Sequence, residues 1–360
     1  MNGSRARAVY RPYDGSAESQ RGLLVIGGSG ELGSALVRAA AEAAETPTVS
    51  GVRAVWATYR TRRPSVCTPV GSKAPSVRWF YLDTADRRAT SDLIQRASTE
   101  IGPLLTVVFC AVPKHGGAAG PGGDDIRSGI VDHVLYAAEA TKLAGMVEGA
   151  ERSSCRFVAI STDQVFDGVP PHPPYTTDAP RRPLNPYGHY KVEMEDTLQN
   201  IHHPDLVIAR TSLILTLGMQ PHEDGKAIAF LRSALIETHE KPLVLFTDEI
   251  RNMSWSNDLA EALVEVATAI RCERVTMDGD TATVIHLACP ETTNRFALAQ
   301  RLLSTRWSEY RHRAAGRITP GLSAESGLRR PLDLTMDVTS MAETGLVTRT
   351  RLRSIFEYLQ

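Results

Sequence analysis

A tyrosine and a lysine stand four residues apart in the segment NPYGHYKVEMED, residues 185–196. Positions i and i+4 of a helix share a face, so Tyr187 and Lys191 can point together into one crevice. A phenol with its usual pKa of about 10 is a poor proton shuttle at neutral pH, but a nearby ammonium favours the phenolate and lowers that pKa. Tyr187 could then protonate a carbonyl oxygen as hydride reaches the carbon, and Lys191 could also hydrogen-bond a nicotinamide ribose. The alternative is an ordinary helix with a packed tyrosine and a surface lysine.

A strand that ends in hydroxyl groups precedes this helix. Residues 157–168 read FVAISTDQVFDG, which puts Ser161 and Thr162 about 25 residues upstream of the tyrosine. Open α/β sheets bind ligands in the crevice at the carboxyl ends of their strands, where this strand end and the helix can meet. Either hydroxyl could hold the oxygen that Tyr187 protonates.

A glycine-rich turn near the start of the chain predicts a dinucleotide site. Residues 23–33 read LLVIGGSGELG, so Gly27, Gly30 and Gly33 follow a strand directly and lead into a helix. Such glycines allow a tight turn, a close approach of backbone to a pyrophosphate and close packing of helix on strand. The helix N-terminus then offers free N–H groups to the phosphates. The alternative is a glycine-rich turn without a ligand. Also predicted to contact the cofactor are Ser29, Glu31 and Leu32.

The end of the second strand favours NADP(H) over NAD(H). It reads WATYRTRRP and has Arg60 where an NAD site usually carries an acidic residue for the ribose 2′-hydroxyl. A guanidinium can pair bidentately with a 2′-phosphate, although a solvated basic loop is the alternative. Asp83, after the third strand, could hydrogen-bond the adenine or form a helix N-cap. Cys110 and Ala111, at the end of the fourth strand, are predicted to contact the cofactor.

Strands and helices alternate through the first 210 residues. This order predicts an α/β fold, a Rossmann-type doubly wound parallel sheet with a smaller C-terminal substrate-binding region. We divide the chain into a disordered tail (1–20), an NADP-binding Rossmann domain (21–210) and a mostly substrate-binding region (211–360) that is partly interleaved with it. The predicted strands are 23–26, 52–58, 77–82, 104–112, 156–161 and 205–209, and the predicted helices are 32–44, 86–100, 126–149 and the one that contains Tyr187.

Composition and charge exclude several classes of partner. The chain has 360 residues and a formal net charge of -1, so no basic surface for nucleic acid is indicated. No apolar run approaches the length that spans a bilayer. The five cysteines are odd in number and lack a CxxC pair, which favours a reducing, cytoplasmic environment. The first twenty residues lack the apolar core of a secretory signal, with an organelle transit peptide as the alternative to a tail.

The chain resembles the extended short-chain dehydrogenase/reductases, and more closely their dTDP-4-dehydrorhamnose reductase branch. That branch also contains the regulatory beta subunit of methionine adenosyltransferase. The resemblance implies that Thr162, Tyr187 and Lys191 are the catalytic hydroxyl, acid and tuning cation. Thr162 is preferred over Ser161 because it stands three residues before Val165, as in the family. The matching text is GGSGELG at 27–33, STDQVFDG at 161–168, PYTTDAPRRPLNPYGHYKVEME at 174–195, ARTSLI at 209–214 and RRPLDLTMDVTSMAETGL at 329–346.

Three departures from the family pattern lie on the substrate side. Gln164 stands where the reductases usually have tyrosine, and Leu213 stands where they usually have tryptophan. Their DQxGxPT segment appears here as FTDEIRNMSW, residues 246–255. The expected cofactor machinery is therefore intact, while the sugar-nucleotide side differs. No metal ligand cluster is evident, so no metal site is predicted.

These observations predict an NADP(H)-dependent reductase of a carbonyl substrate, with a nucleotide-linked 4-keto-deoxysugar as the substrate class that the resemblance suggests. The expected partner is a small-molecule substrate, without nucleic acid or membrane, and a homodimer is a further expectation. The alternative function is a non-catalytic regulatory subunit that keeps the dinucleotide fold and binds the catalytic subunit of methionine adenosyltransferase.

Overall fold

Seven parallel strands form the central sheet of the protein. The structure is a computed structural model that describes residues 9–64, 77–113, 123–146, 155–169, 173–219, 223–236, 242–272, 282–314, 316–327 and 330–360. Strands within these residues are β1 (Tyr10–Arg11), β2 (Arg21–Ile26), β3 (Val52–Tyr59), β4 (Arg78–Tyr81), β5 (Leu105–Phe109), β6 (Arg156–Thr162), β7 (Leu206–Thr211), β8 (Ile214–Leu215), β9 (Leu243–Phe246), β10 (Ser254–Trp255), β11 (Ile270–Arg271), β12 (Thr283–His286) and β13 (Ile318–Gly321). The α-helices are α1 (Glu31–Ala43), α2 (Pro47–Ser50), α3 (Arg87–Ile101), α4 (Gly123–Ile130), α5 (Asp132–Ala144), α6 (Pro186–Asn200), α7 (Lys226–Leu235), α8 (Ser256–Thr268), α9 (Arg295–Ser304), α10 (Arg311–Ala314), α11 (Ser340–Glu343) and α12 (Ile355–Tyr358).

The central sheet has the strand order β12-β7-β6-β5-β2-β3-β4, with helices on both faces. Alternate side chains of a strand point to opposite faces. In β2, Leu23 and Val25 therefore belong to the core beneath α1 and α8, whereas Leu24 and Ile26 belong to the core beneath α3, α5 and α6. All six residues of β2 are buried, as expected for a parallel strand that is covered on both faces. The predicted Rossmann-type doubly wound sheet is confirmed.

Two features of the sheet and its helices differ from the sequence-based prediction. The seventh strand, β12, comes from the C-terminal half and pairs with β7 at the edge of the sheet. Its four residues are too short a run to separate from the irregular elements around it in the sequence. The helix predicted over 126–149 is two helices, α4 and α5, separated at Val131; residues 147–149 lie outside the described residues.

The predicted tail is ordered where the structure describes it. Residues 1–8 lie outside the described residues, but Tyr10–Arg11 form β1 and pair with Ile270–Arg271. The Tyr10 side chain is buried, and its hydroxyl donates to Asp205 Oδ1 at 3.2 Å. The prediction of disorder over 1–20 is therefore wrong for residues 9–20. The reason is a long-range contact: the Tyr10 side chain is buried and hydrogen-bonds Asp205, 195 residues later in the chain. We keep the domain boundary at residue 210 as a proposal.

The C-terminal region has a core of its own. It is built where α7 and α9 pack beside the two-stranded sheet of β9 and β13. Trp255 and Trp307 are among its largest buried side chains. Helix α8 begins directly after Trp255 and also packs on α1 through the core beneath the central sheet. This helix therefore connects the smaller core to the Rossmann sheet.

A buried ion cluster lies at the amino ends of the central strands. Arg156, at the start of β6, donates from Nε to both carboxylate oxygens of Asp205 at 3.1 Å, and Arg21 Nη2 lies 3.7 Å from Asp205 Oδ2. Burial by itself would raise the pKa of Asp205, but the charges of Arg156 and Arg21 outweigh it and lower the pKa to about 2. The cluster joins β2, β6 and the residue before β7.

We expect Asp205→Asn to lower the free energy of unfolding at pH 7 by about 3 kcal/mol, because it leaves buried arginine charge without its carboxylate. The folded-state pKa of Asp205 is lowered, so its stabilisation is complete above the unfolded-state value of about 4 and is lost as pH falls through about 2. Urea denaturation at several pH values measures both effects. The control Asp92→Asn, in an exposed pair with Arg88, should leave the unfolding midpoint unchanged. Equal midpoints for both variants would contradict this role of Asp205.

Candidate active site

Helix α6 presents Tyr187 and Lys191 at the carboxyl end of β6. The helix begins at Pro186, and the Asn185 side chain caps it by accepting from Gly188 N at 2.9 Å. The Asn185 amide also donates to Gln164 Oε1 at 2.9 Å. Gln164, the residue that departs from the family's tyrosine, thus attaches the start of α6 to the segment after β6.

Tyr187 and Lys191 share one face of α6 as predicted; Lys191 is buried and Tyr187 is partly buried. Lys191 Nζ lies 6.0 Å from the centre of the Tyr187 ring and donates to Ile160 O at 2.8 Å. Burial lowers the pKa of Lys191 from 10.5 to about 8. Burial raises the pKa of Tyr187 above its usual value, and the charge of Asp163 raises it further. The prediction that the ammonium lowers the pKa of Tyr187 is therefore wrong, because the desolvation of the phenol is the larger effect.

The two candidate hydroxyls at the end of β6 have different partners. Ser161 Oγ donates to Glu195 Oε1 at 2.5 Å, inside a fully buried group of charges. Thr162 Oγ1 lies 3.2 Å from Asp163 Oδ1 and accepts from Gln164 N at 3.3 Å. The Ser161 hydroxyl is thus occupied by a structural contact. The Thr162 hydroxyl also has protein partners, both in the segment that follows it directly, and its role toward a substrate oxygen stays a prediction.

The glycine turn lies between β2 and α1, as predicted. Gly27 has φ +84°, a left-handed conformation, and a Cβ there would be 2.6 Å from Ala111 N. A Cβ on Gly33 would be 2.2 Å from Gly27 O, so this glycine lets α1 pack on the turn. At Gly30 the nearest atom, Gly27 O, would be 3.2 Å away, and both Ser29 and Gly30 are exposed. The tip of the turn can therefore receive a ligand, while its two ends are filled by protein.

The side chains of the two residues after Gly30 point away from that tip. Leu32 is buried in the core beneath α1. The Glu31 carboxylate accepts from Thr216 Oγ1 at 3.0 Å and from Lys226 N, the first residue of α7, at 3.3 Å. The two residues can therefore contribute to a dinucleotide site through their backbone N–H groups, which lack acceptors within the helix at its N-terminus. The carboxylate joins the turn to the C-terminal region.

The backbone after β5 brings the turn and α6 to one place. Cys110 N donates to Ile26 O at 2.8 Å, and Ala111 packs against Gly27. Burial raises the pKa of the Cys110 thiol to about 12, while the nearby charge of Lys191 opposes this shift. Cys110 and Ala111 thus lie between the glycine turn and the tyrosine–lysine pair, and their contact with the cofactor stays a prediction.

The predicted cofactor-selecting residues contact each other at the ends of β3 and β4. Arg60 Nη2 lies 3.2 Å from Asp83 Oδ2, and the Arg60 side chain is 65% exposed. The alternative that Asp83 is a helix N-cap is wrong, because Asp86 caps α3 by accepting from Ala89 N. His133 lies beside this pair, with its Nδ1 2.9 Å from Thr84 Oγ1. No pattern in the sequence pointed to His133, because it lies on α5, about 50 residues after Asp83 in the chain.

Sequence reasoning also missed the charged groups that surround the predicted catalytic residues. Glu195 is fully buried and binds Arg210 through both carboxylate oxygens, at 3.0 and 2.7 Å. Burial by itself would raise the pKa of Glu195, but Arg210 holds it below its usual range. Asp163 is bound by Arg251 Nη1, at 3.0 Å from each oxygen, and by Ser212. The available signal was spacing: Glu195 stands four residues after Lys191, on the same helix face.

The described part of the chain holds no group of three or more His, Cys, Asp or Glu side chains arranged to bind a metal ion. No helix in the same residues is long and apolar enough to cross a membrane.

A seven-stranded Rossmann sheet with this glycine turn and a Tyr-x-x-x-Lys helix defines an extended short-chain dehydrogenase/reductase. Residues 131–359, more than half of the chain, match the family model described as the RmlD substrate binding domain, and the chain belongs to that family. The chain is 28% identical over 171 residues to dTDP-4-dehydrorhamnose reductase from Mycobacterium tuberculosis, strains CDC 1551 / Oshkosh and H37Rv. The match covers 46% of this chain and 51% of those proteins, so the chain spans about half the length of the curated relatives it matches. The family resemblance found in the sequence is confirmed.

Solved structures have the same fold. A dTDP-4-dehydrorhamnose reductase from Bacillus anthracis, in complex with NADP, is 18% identical with a TM-score of 0.61, over 94% of this chain and 97% of that chain. A dTDP-glucose 4,6-dehydratase from Streptomyces venezuelae, with NAD bound, is 17% identical with a TM-score of 0.68, over 94% of each chain. At these identities the likeness establishes the fold.

Gly30 is exposed and Gly33 is packed against the turn, so substitutions at these two glycines should have different effects on stability. Gly33→Ala puts a methyl group against Gly27 O and should destabilise the protein by about 1–3 kcal/mol, because backbone must move. Gly30→Ala puts its methyl group 3.2 Å from Gly27 O, a tight contact that a small shift relieves, and should lower the free energy of unfolding by less, about 1 kcal/mol or under. Chemical denaturation of the two variants makes the comparison. A loss of stability for Gly30→Ala as large as that for Gly33→Ala would contradict the described packing.

Proposed function

We propose that the protein is an NADP(H)-dependent reductase that converts a carbonyl group to an alcohol. A nucleotide-linked 4-keto-deoxysugar is the substrate class to test first, because the curated relatives are dTDP-4-dehydrorhamnose reductases. One observation carries the proposal: Thr162, Tyr187 and Lys191 lie near the glycine turn, at the carboxyl ends of the central strands. Cys110 and Ala111 connect the two halves of this arrangement.

The chemistry of the side chains fits carbonyl reduction. Bound NADPH would supply a hydride to the carbonyl carbon. Tyr187 stays protonated at neutral pH, because burial raises its pKa, and is thus in the state that donates a proton to the carbonyl oxygen. The Thr162 hydroxyl would hold the same oxygen. Lys191, charged below its pKa of about 8, would favour the phenolate that forms as Tyr187 loses its proton.

The glycine turn and Arg60 support NADP(H) as the cofactor. The exposed tip at Ser29 and Gly30 leaves room for a pyrophosphate, and the N-terminus of α1 offers backbone N–H groups to it. Arg60 is exposed enough to reach a 2′-phosphate at the end of β3. Its contact with Asp83 holds the guanidinium near that strand end. The NADP in the Bacillus anthracis reductase agrees with this choice.

Arg60→Ala should weaken NADPH binding by about tenfold or more and change NADH binding little. A charge-assisted hydrogen bond to a phosphate contributes about 1.5–3 kcal/mol, and NADH lacks the 2′-phosphate. Fluorescence titration with both cofactors gives the ratio. Arg62→Ala, which removes an exposed neighbour of the same loop, is the matched control and should bind both cofactors as the wild type does. Equal losses for NADPH and NADH in Arg60→Ala would exclude this role.

Tyr187→Phe should slow the chemical step by about 10²–10⁴ and leave NADPH affinity unchanged. It removes one hydroxyl and almost no volume, so the loss reports the missing proton donor. The measurement is single-turnover NADPH oxidation with a dTDP-4-keto-6-deoxysugar. In the wild type we expect the rate to fall as pH rises through about 8, where Lys191 loses its charge.

The same experiment separates the reductase from the regulatory-subunit alternative. If the Tyr187→Phe variant oxidises NADPH as fast as the wild type, the phenol takes no part in the reaction. A wild type that binds NADPH, oxidises none with carbonyl substrates and co-purifies with a methionine adenosyltransferase would favour the regulatory subunit.

A further inference from the structure

Glu31, the first residue of α1, links the glycine turn to the start of α7. Its Oε1 accepts from Thr216 Oγ1 at 3.0 Å, and its Oε2 accepts from Lys226 N, the first N–H of α7, at 3.3 Å. Thr216 Oγ1 also lies 2.9 Å from the hydroxyl of Ser256, the first residue of α8. One carboxylate from the glycine turn is therefore held at the starts of two helices of the C-terminal region.

The backbone at Gly225 leaves room for this carboxylate. Gly225 is buried and is the N-cap of α7, and a Cβ at this position would be 1.7 Å from Glu31 Oε1. Its φ of -66° is one that any residue can adopt, so space rather than backbone conformation favours glycine here. Gly225 N also donates to Thr216 O at 2.8 Å. The place beside the N-terminus of α7 is thus shaped to hold the Glu31 side chain.

Two helix N-termini can attract the Glu31 carboxylate. The first N–H groups of a helix lack acceptors within it and favour a negative charge nearby. Both α1 and α7 begin after a glycine, which has no side chain to accept from these groups. Glu31 lies in the first turn of α1, so its own helix attracts the carboxylate as well. In the structure the carboxylate lies on α7 instead, away from the place at α1 where we propose the cofactor diphosphate.

We propose that Glu31 is a positioning residue that couples the cofactor site to the C-terminal region. The carboxylate and the cofactor diphosphate are both anions, so they exclude each other at the N-terminus of α1. Bound cofactor therefore keeps the carboxylate on α7, where it caps the helix and holds it against the glycine turn. By linkage, any contact that holds α7 in this place favours cofactor binding in return. The proposal rests on the reductase function above, because it requires a dinucleotide at the turn.

Hydrogen exchange on the full chain reports the state of α7 without turnover. In the wild type, NADPH should slow exchange of the backbone amides of α7 by about fivefold, the effect expected of a helix cap. Glu31→Ala removes the capping carboxylate, so this variant should bind NADPH but lose the protection of α7. Glu31→Gln keeps an oxygen that can accept from both donors, without the charge, and should retain a smaller effect. The control Glu42→Ala, at an exposed position near the other end of α1, should behave as the wild type does.

Gly225→Ala and Thr216→Val test whether the two helices compete for the carboxylate. The first fills the place of the carboxylate with a methyl group, and the second removes its hydroxyl donor with almost no change in volume. The carboxylate should then turn to the N-terminus of α1 and weaken NADPH binding by about fivefold, measured by fluorescence titration. In combination with Glu31→Ala, each substitution should lose this effect. A substitution that only damages the fold would weaken NADPH binding whether or not Glu31 is present.

Failure of this coupling differs from failure of the reductase function. A wild type that binds NADPH without any change in the exchange of α7 would overturn the coupling alone. So would equal protection of α7 in the wild type and Glu31→Ala, or NADPH affinities of Gly225→Ala and Thr216→Val that match the wild type. A wild type that binds neither NADPH nor NADH would overturn the reductase function, and the coupling with it.

Discussion

The buried ion pair between Glu195 and Arg210 holds the helix that carries the candidate catalytic residues. Glu195 lies one turn after Lys191, and its carboxylate is bound by Arg210 from β7 and by Ser161 from β6. At the other end of α6, Asn185 is attached to Gln164. A slip of one residue along α6 would rotate its side chains by about 100° and break both attachments. The direction of Tyr187 is therefore determined by contacts that take no part in its chemistry.

Buried charge has different uses at the two ends of the central sheet. At the amino ends, Asp205 accepts from Arg156 and from Tyr10, and these contacts join segments far apart in the chain. At the carboxyl ends, Asp163 and Glu249 are shared among three arginines, and Asp163 also accepts from the Thr162 hydroxyl. The first group stabilises the fold, because it joins segments that are far apart in the chain. The second group lies at the end of the sheet where open α/β sheets bind ligands.

The central fold could be predicted from the sequence because its signals are local. Apolar runs such as Leu23–Ile26 have the length of buried strands, and the glycine turn has a backbone requirement that few other residues meet. The order of strands and helices then limits the topology. The strand β12 was missed, since four residues with only two apolar side chains, Val284 and Ile285, have no distinctive period beside irregular segments. Its place in the sheet depends on pairing with β7, which is a long-range contact.

The candidate site could be predicted in its residue types and less in its electrostatics. The spacing of Tyr187 and Lys191 correctly placed them on one helix face. It could not show how far protein covers the two groups, and the cost of desolvating the phenol reverses the direction expected for its pKa. Arg251 and His133 come close to the site only through the tertiary fold. Whether a charged side chain lies in solvent or beside a catalytic group is decided by such packing, which a single sequence does not contain.

The contacts of Tyr10, in β1, with residues near the end of the chain affect the order in which parts of the protein fold during synthesis. The Tyr10 hydroxyl lies 3.3 Å from that of Thr283, which is 273 residues later in the chain, and its backbone N–H donates to Thr344 O. The strand β1 therefore leaves the ribosome long before its partners exist. The early strands of the sheet can begin to pair while translation continues, because domains fold from the N-terminus as they emerge. These contacts can form only after Thr344 has been made, so a segment that is synthesised early reaches its native place late.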